Sequence, residues 1–111
     1  MPTPFPRLLP VLLIALAWGP APADAPDPAR QAALETLLYQ DCGSCHGMTL
    51  RGGLGPALSR SRMRAYDRDA LAALILHGIP GTAMPGWAPL LGDADARWLA
   101  DLLQRAAPQT P

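Results

Sequence analysis

The fold of this chain is decided by one short stretch, Cys42-Gly43-Ser44-Cys45-His46, which is a C-x-x-C-H sequence. Two thiols three residues apart on a helical turn can add across the two vinyl groups of one haem, and the histidine that follows can then ligate the iron. The stretch therefore predicts one covalently bound haem c, held by Cys42 and Cys45, with His46 as the proximal iron ligand.

Three other interpretations of the two cysteines compete with haem attachment. A thioredoxin-like C-x-x-C motif would need a βαβ context, which the hydrophobic pattern does not show. A zinc site would need His77 as its fourth ligand, 31 residues beyond His46 and outside the spacing of zinc fingers. A structural disulfide across the tight turn is the third alternative.

The beginning of the chain is typical of a secretory signal peptide. Arg7 is its only charge, an apolar run covers residues 8–18, and residues 21–23 have the small-x-small cleavage pattern. The run has 11 residues, whereas a helix that crosses a bilayer needs roughly 20. We therefore expect a signal peptide over 1–23 and a periplasmic haem domain over 24–111 with no membrane span. An uncleaved anchor is the alternative.

The expected mature chain is small and nearly neutral. Its 88 residues contain eight arginines, no lysine and nine acidic residues, which gives a net charge of −1. A nucleic-acid binder would carry a strongly basic surface, so we expect no nucleic-acid partner. Domains of this size commonly depend on a cofactor for part of their core, and a buried haem would supply that apolar bulk. We expect a monomer.

The first predicted helix leads directly to the cysteines. Asp27 is placed to cap it, and Pro28 can occupy its first position, where a missing N–H costs nothing. Apolar residues then recur at three- and four-residue intervals as far as Cys42. The expected buried face consists of Leu34, Leu37 and Leu38.

A second helix is predicted over residues 68–77, after a glycine-rich stretch at 47–66 that we expect to be mostly loop. Asp67 can cap this helix, and Gly78 can end it in the left-handed conformation. Its expected buried face consists of Leu71, Leu74 and Ile75.

The last helix is predicted to follow a second loop, at residues 79–91. It begins near Gly92 and runs to about Gln104, with Asp93 and Asp95 in the first turn, where the helix dipole favours negative charge. Its expected apolar face consists of Leu99, Leu102 and Leu103. Since no strand-like alternation or internal repeat occurs, we predict an all-α fold.

The sixth iron ligand is expected to be Met84, which lies in a loop rich in glycine and proline 38 residues after His46. Thioether sulfur favours Fe(II) and raises the reduction potential. Met63 and His77 are the alternatives, although Met63 could instead pack on the haem edge and His77 could instead interact with a helix dipole. Met48 is too near the attachment turn to reach the far face of a haem.

Two further residues are expected to act around the haem. The carbonyl of Pro56 is a candidate acceptor for the second ring nitrogen of His46, which would fix the orientation and basicity of the imidazole. The alternative is a simple loop corner. Trp87 is a candidate donor of its indole N–H to a haem propionate, with ordinary packing at the haem edge as the alternative.

Arginines cluster in the middle of an otherwise slightly acidic chain. The cluster consists of Arg60, Arg62, Arg64 and Arg68. It is interpreted either as a solvated surface or as a docking patch for an acidic redox partner, with one arginine reaching a propionate as a further possibility.

Together these stretches resemble class I cytochrome c. The resemblance is carried by residues 42–46, residues 55–58 and residues 84–87, and it covers about residues 28–104. It implies a monohaem all-α fold of three to five helices wrapped around the haem, with His/Met ligation and an exposed haem edge. In one departure, Leu102 stands where the last helix of the class usually carries an aromatic residue.

A narrower resemblance is carried by residues 38–47, 52–58 and 77–85. These are similar to the small periplasmic monohaem cytochromes encoded beside the haem-c/haem-d-one nitrite reductase of denitrifying bacteria, the NirC or c55X group. The resemblance implies electron supply to that nitrite reductase, or to the maturation of its special haem.

The function that we expect from the sequence is one-electron transfer without catalytic residues. Both axial positions of the iron would be filled, so that no substrate binds. Redox proteins are the expected partners, with nitrite reductase among them. Other functions stay open: an accessory factor in maturation of the nitrite reductase haem, a general periplasmic carrier to another oxidoreductase, and a ligand-binding sensor or small peroxidase with a labile sixth ligand.

Overall fold

The computed structural model describes residues 25–107, together with residues 1, 2 and 4. Its elements are α1 (Pro28–Leu37), a π-helical segment (Leu38–Cys42), α2 (Gly43–His46), α3 (Arg60–Met63), α4 (Arg68–His77) and α5 (Asp93–Ala106). The described residues contain no strand, and the predicted all-α class is confirmed. None of their helices is long and apolar enough to cross a membrane. The predicted signal peptide at 1–23 lies almost entirely outside the described residues.

Helix α1 begins as its sequence predicts. The Asp27 carboxylate accepts a hydrogen bond of 2.8 Å from the backbone N–H of Arg30, and Pro28 occupies the first turn. The helix does not stop before the cysteines. It widens into the π-helical segment and then continues as α2, so that one helical path runs from Pro28 to His46. The regular leucine spacing gave no sign of this wider turn.

Residues 47–66 were expected to be mostly loop, and within them residues 60–63 form the short helix α3, which the sequence did not predict. The buried Ser59 precedes it as N-cap, and the Ser59 hydroxyl accepts from the backbone N–H of Arg62 at 3.4 Å. Met63 is buried in the core. A serine cap and one buried apolar residue are thus enough to form a single turn of helix.

Helix α4 has the predicted bounds. The Asp67 carboxylate accepts from two backbone N–H groups of its first turn, and Leu71 and Ile75 are buried. Leu74 is only half-buried, while Leu76, on the neighbouring face, is buried. The helix ends at Gly78, but with φ of 71° and ψ of −169° this residue is more extended than the predicted left-handed conformation.

Helix α5 packs along α4 and closes the core. It begins after Gly92, whose N–H donates to the Asp95 carboxylate at 3.1 Å, and it extends two residues beyond the predicted end, to Ala106. Leu99 and Leu103 are buried, as expected, whereas Leu102 is half-buried against the same core. The most deeply buried large side chains among the described residues come from three parts of the chain, Leu34, Leu50 and Leu99.

One ion pair joins the two ends of the fold. The Arg30 side chain on α1 donates to both carboxylate oxygens of Asp95 on α5, at 3.2 and 2.8 Å, and also to the carbonyl of Leu90 at 3.1 Å. The hydrogen bond from Arg30 lowers the pKa of the Asp95 carboxyl. Arg30 therefore ties α1 both to α5 and to the loop that precedes α5.

Asp95→Asn should lower the free energy of unfolding at neutral pH by about 1 kcal/mol or less, as partly exposed ion pairs do. Because Asp95 has a lowered pKa in the folded state, its contribution is complete above the unfolded pKa of about 4 and is lost as the pH falls through the folded value. Urea denaturation near neutral pH and at about pH 2 measures this. Asp69→Asn, at an exposed ion pair, is the control. A wild-type advantage over Asp95→Asn that persists at acid pH would contradict the assignment.

Candidate haem site

The two thiols of the C-x-x-C-H turn have different surroundings. Cys42 ends the π-helical segment, is half-buried and packs against the core, whereas Cys45 on α2 is exposed. Burial, and secondarily the neighbouring Asp41 carboxylate, raises the pKa of the Cys42 thiol to about 11. The Ser44 hydroxyl donates to the Asp41 carbonyl at 2.6 Å and stiffens the turn. The helical path thus presents one thiol at the core and the other at the surface.

The imidazole of His46 is held by the loop that follows it. Its Nδ1 lies 2.7 Å from the carbonyl oxygen of Pro56. Since a carbonyl can only accept, Nδ1 carries a proton, and in the neutral imidazole Nε2 then keeps a free lone pair. This is the orientation in which a histidine ligates a metal while a backbone carbonyl fixes its tautomer.

A glycine allows this close approach of loop and imidazole. A Cβ atom on Gly55 would lie 2.9 Å from both Cε1 and Nδ1 of His46, too near for any side chain to be tolerated without movement. The loop is also tied to the attachment turn through the backbone, because Gly55 N–H donates to the Cys45 carbonyl at 2.8 Å and Gly52 N–H to the His46 carbonyl at 2.7 Å. Pro56 is therefore fixed relative to the imidazole.

Met84 is half-buried in a tight loop. Its backbone carbonyl accepts from Ile79 N–H at 3.2 Å, and its own N–H donates to the Thr82 hydroxyl at 3.3 Å. That hydroxyl in turn donates to the Ile79 carbonyl at 2.7 Å. The backbone that carries the thioether is thus fixed on both sides.

The same loop is anchored to the end of α4. Trp87 N–H and Ala88 N–H donate, each at 3.0 Å, to the carbonyls of Ile75 and Leu76, which lie in the last turn of α4 and have no partner within the helix. A Cβ atom on Gly86 would lie 2.7 Å from the Leu76 carbonyl oxygen, so the two backbones are in direct contact. The loop positions Met84 by completing the hydrogen bonding of α4.

The remaining candidates lie in different environments. Trp87 is half-buried and packs against the core, Met63 is buried within the core, and His77 is exposed at the end of α4. Met48 is exposed and lies beside the attachment turn, with its Sδ 3.7 Å from the Cβ position of Gly43. The identity of the sixth ligand stays a prediction.

The donor set fits a haem c. Two thiols and an imidazole stand on one helical turn, the imidazole has its second nitrogen already bonded, and a thioether lies in a fixed loop. Within residues 25–107, no three His, Cys, Asp or Glu side chains are grouped so as to hold a metal ion. The four side chains of the alternative zinc site, Cys42, Cys45, His46 and His77, therefore do not form such a group.

Comparison with known proteins assigns the family. A family model described as cytochrome c oxidase, cbb3-type, subunit III matches residues 29–103. The cytochrome c55X of Paracoccus denitrificans (strain Pd 1222) is 53% identical over 92 residues, which make up 83% of this chain and 89% of that relative. A solved c-type cytochrome NirC is 54% identical with a TM-score of 0.70, covering 75% of this chain and 100% of its own. The chain belongs to the c-type cytochromes, in the group of small cytochromes that includes c55X and NirC.

A larger protein contains a region of the same fold. The dihydro-heme d1 dehydrogenase NirN, solved in complex with DHE, is 39% identical with a TM-score of 0.61, and the match covers 69% of this chain but only 17% of NirN. The matches to c55X and NirC confirm the resemblance to the NirC group that the sequence indicated. Membership of the c-type cytochromes implies a haem c.

Three contributors to the site were not predicted from the sequence. The π-helical segment leaves no mark in the apolar pattern, and the contact of Gly86 with α4 joins residues that only the fold brings together. Thr82 could have been found, because a threonine two residues before a loop methionine can accept from that residue's N–H.

Gly86→Ala should lower the free energy of unfolding by about 2 kcal/mol, because the new methyl group meets backbone rather than a flexible side chain. Gly92→Ala is the matched control: its Cβ meets nothing nearer than an Asp95 carboxylate oxygen at 3.9 Å. Urea denaturation of both variants measures the difference. Equal stability of the two variants would show that the Met84 loop does not press against α4.

Proposed function

We propose that the chain is an exported one-electron carrier that binds one haem covalently through Cys42 and Cys45, with its iron ligated by His46 and Met84. The observation that carries the proposal is the 2.7 Å contact between His46 Nδ1 and the Pro56 carbonyl, which leaves Nε2 free for the iron. When bound, the haem supplies the Fe(III)/Fe(II) couple.

The surrounding residues fix the orientation of the two side chains that would ligate the iron. The Pro56 carbonyl keeps the imidazole in one orientation and makes it a stronger donor to the metal. The Met84 sulfur would favour the ferrous state. The backbone hydrogen bonds of its loop would hold it in position. The indole N–H of Trp87 would donate to a propionate of the bound haem. With His46 and Met84 both bound to the iron, no position would be left for a substrate, so the proposed function is electron transfer without catalysis.

Nitrite reduction is the setting that the relatives favour. The similar proteins are named cytochrome c55X and NirC, and the sequence resembles the cytochromes encoded beside the haem-c/haem-d-one nitrite reductase. In this proposal the protein is a periplasmic monomer, and its signal peptide at residues 1–23 is cleaved on export. It passes one electron at a time to the nitrite reductase or to another periplasmic oxidoreductase.

A second function, in maturation of the nitrite reductase haem, is favoured by one specific finding. The fold recurs in a protein named dihydro-heme d1 dehydrogenase, solved in complex with DHE. A domain similar to this chain is therefore part of a protein that is named for its action on dihydro-heme d1. In this alternative, the chain accepts electrons during haem maturation.

Met84→Ala should abolish the weak red absorption band of ferric thioether-ligated haem and open the ferrous iron to rapid CO binding, because the sulfur is removed from the iron. Absorption spectroscopy of the purified ferric protein and CO mixing measure both effects. Met48→Ala, at an exposed position, is the control and should keep the band. Persistence of the band in Met84→Ala would move the ligand to Met63.

Mixing the reduced protein with purified nitrite reductase tests the carrier function. Oxidation of the cytochrome within the turnover time of the reductase is expected, and a cytochrome that stays reduced would contradict electron supply. Deletion of the gene separates the two candidates. A missing carrier leaves the reductase loaded with its special haem but slow, whereas a missing maturation factor leaves the reductase without that haem.

A further inference from the structure

The Met84 loop is closed by the hydroxyl of one threonine. Thr82 Oγ1 donates to the Ile79 carbonyl at 2.7 Å and accepts from Met84 N–H at 3.3 Å. Ile79 N–H in turn donates to the Met84 carbonyl at 3.2 Å. Because a hydroxyl can donate and accept at the same time, it joins the beginning of the loop to the residue that carries the thioether.

The turn that carries Thr82 is fixed by its own backbone. Thr82 N–H donates to the Ile79 carbonyl at 3.2 Å across Pro80 and Gly81, and Gly81 has a φ of 77°. Proline at the second position and glycine with positive φ at the third are the features of a type II β-turn. A Cβ atom on Gly81 would meet nothing within 4 Å, so this glycine serves the backbone conformation and not packing. The turn therefore fixes Thr82 relative to Ile79.

The backbone of Met84 depends on the same hydroxyl. Pro85 restricts the residue before it to extended conformations, which still cover a wide range of φ. Pro80 and Pro85 themselves offer no N–H. The acceptor that the structure gives to Met84 N–H is the Thr82 hydroxyl. This hydroxyl thus selects one among the extended conformations that Pro85 permits.

The loop is firmly attached at its base and exposed at its tip. A Cβ atom on Gly78 would lie 2.6 Å from the Met84 carbonyl oxygen and 2.7 Å from Gly86 N, so the two ends of the loop are in contact there. Residues 80–83, by contrast, are exposed to solvent. A movement that takes the Met84 side chain away from a haem should begin at this exposed tip, where the Thr82 hydroxyl is the connecting contact.

We propose that Thr82 is a positioning residue that keeps the sixth coordination position of the haem iron closed. Its hydroxyl holds the Met84 backbone where the thioether can remain on the iron. This role rests on the His46/Met84 ligation proposed above and adds a control of access to the iron. It is the difference between an electron carrier and a protein that binds external ligands.

The Thr82 hydroxyl decides how often the iron is open to another ligand. Such a ligand can bind only to the fraction of molecules in which Met84 has left the iron, so its apparent dissociation constant is the intrinsic constant divided by that fraction. The iron stays Fe(III) in the exchange: the sulfur lone pair leaves, and a lone pair of the external ligand takes its place. Loss of the hydroxyl removes two hydrogen bonds from the closed loop, and the open fraction rises.

Titration of the ferric holoprotein with imidazole measures the open fraction. The apparent dissociation constant for imidazole should fall about fivefold to tenfold in Thr82→Val, because the hydrogen-bonding hydroxyl is lost with little change of shape. Thr82→Ala, which also lacks the hydroxyl, should show a similar fall. Thr82→Ser keeps the hydroxyl and should stay within about twofold of the wild type. Thr36→Val is the matched control: the Thr36 hydroxyl donates to the Ala32 carbonyl at 3.1 Å on α1, outside the Met84 loop, so the constant should not change.

Failure of Thr82→Val to bind imidazole more tightly than the wild type would overturn this role, because Met84 would then leave the iron without breaking the Thr82 contacts. An affinity of Thr82→Ser as high as that of Thr82→Val would overturn it as well, since the hydroxyl would not be the group that matters. A wild-type protein that lacks the red thioether band, or that binds imidazole as tightly as Met84→Ala, would instead contradict the proposed ligation by Met84. Absorption spectra recorded without imidazole establish that the haem site of each Thr82 variant is intact before affinities are compared.

Discussion

The hydrogen bond between His46 and the Pro56 carbonyl is the contact on which the rest of the structure depends. It fixes the free nitrogen of the imidazole, and it ties the loop after the attachment turn back onto that turn. Leu50, at the base of the loop, is buried with a positive φ of 60° and accepts from Leu58 N–H at 2.9 Å. The closed loop requires a strained backbone conformation at Leu50. It also requires a glycine at position 55, because a Cβ atom there would meet the His46 ring.

A second loop repeats this use of backbone contacts. The Met84 loop supplies donors to the last carbonyls of α4, and its far end is held by Arg30 through the Leu90 carbonyl. The cysteines and His46 lie on the helical path from α1 to α2, whereas Pro56 and Met84 lie in two loops. The helices α1, α4 and α5 form the frame that holds both loops. A carrier benefits from this design, because ligands that do not move between oxidation states keep electron transfer fast.

The sequence predicted what depends on local chemistry. Asp27 and Asp67 could be predicted as caps because their side-chain oxygens accept hydrogen bonds from the free backbone N–H groups of the first turn. The spacing of the C-x-x-C-H turn was by itself enough to predict a haem. The sequence did not predict what depends on tertiary contact. The conformation of Gly78 and the approach of Gly86 to α4 arise where elements distant in sequence meet, so no local pattern marks them. The wide turn before Cys42 also leaves no mark in the apolar pattern.

The proposed function depends above all on ligation of the haem iron by His46 and one methionine, Met84. Labelling the methionine methyl groups with carbon-13 and recording proton–carbon NMR spectra of the reduced protein tests it most directly. One methyl resonance should be shifted far upfield by the haem ring current, and it should be the resonance that Met84→Leu removes. Ordinary shifts for all of the methionine methyl groups would contradict the claim, because no thioether would then lie on the iron.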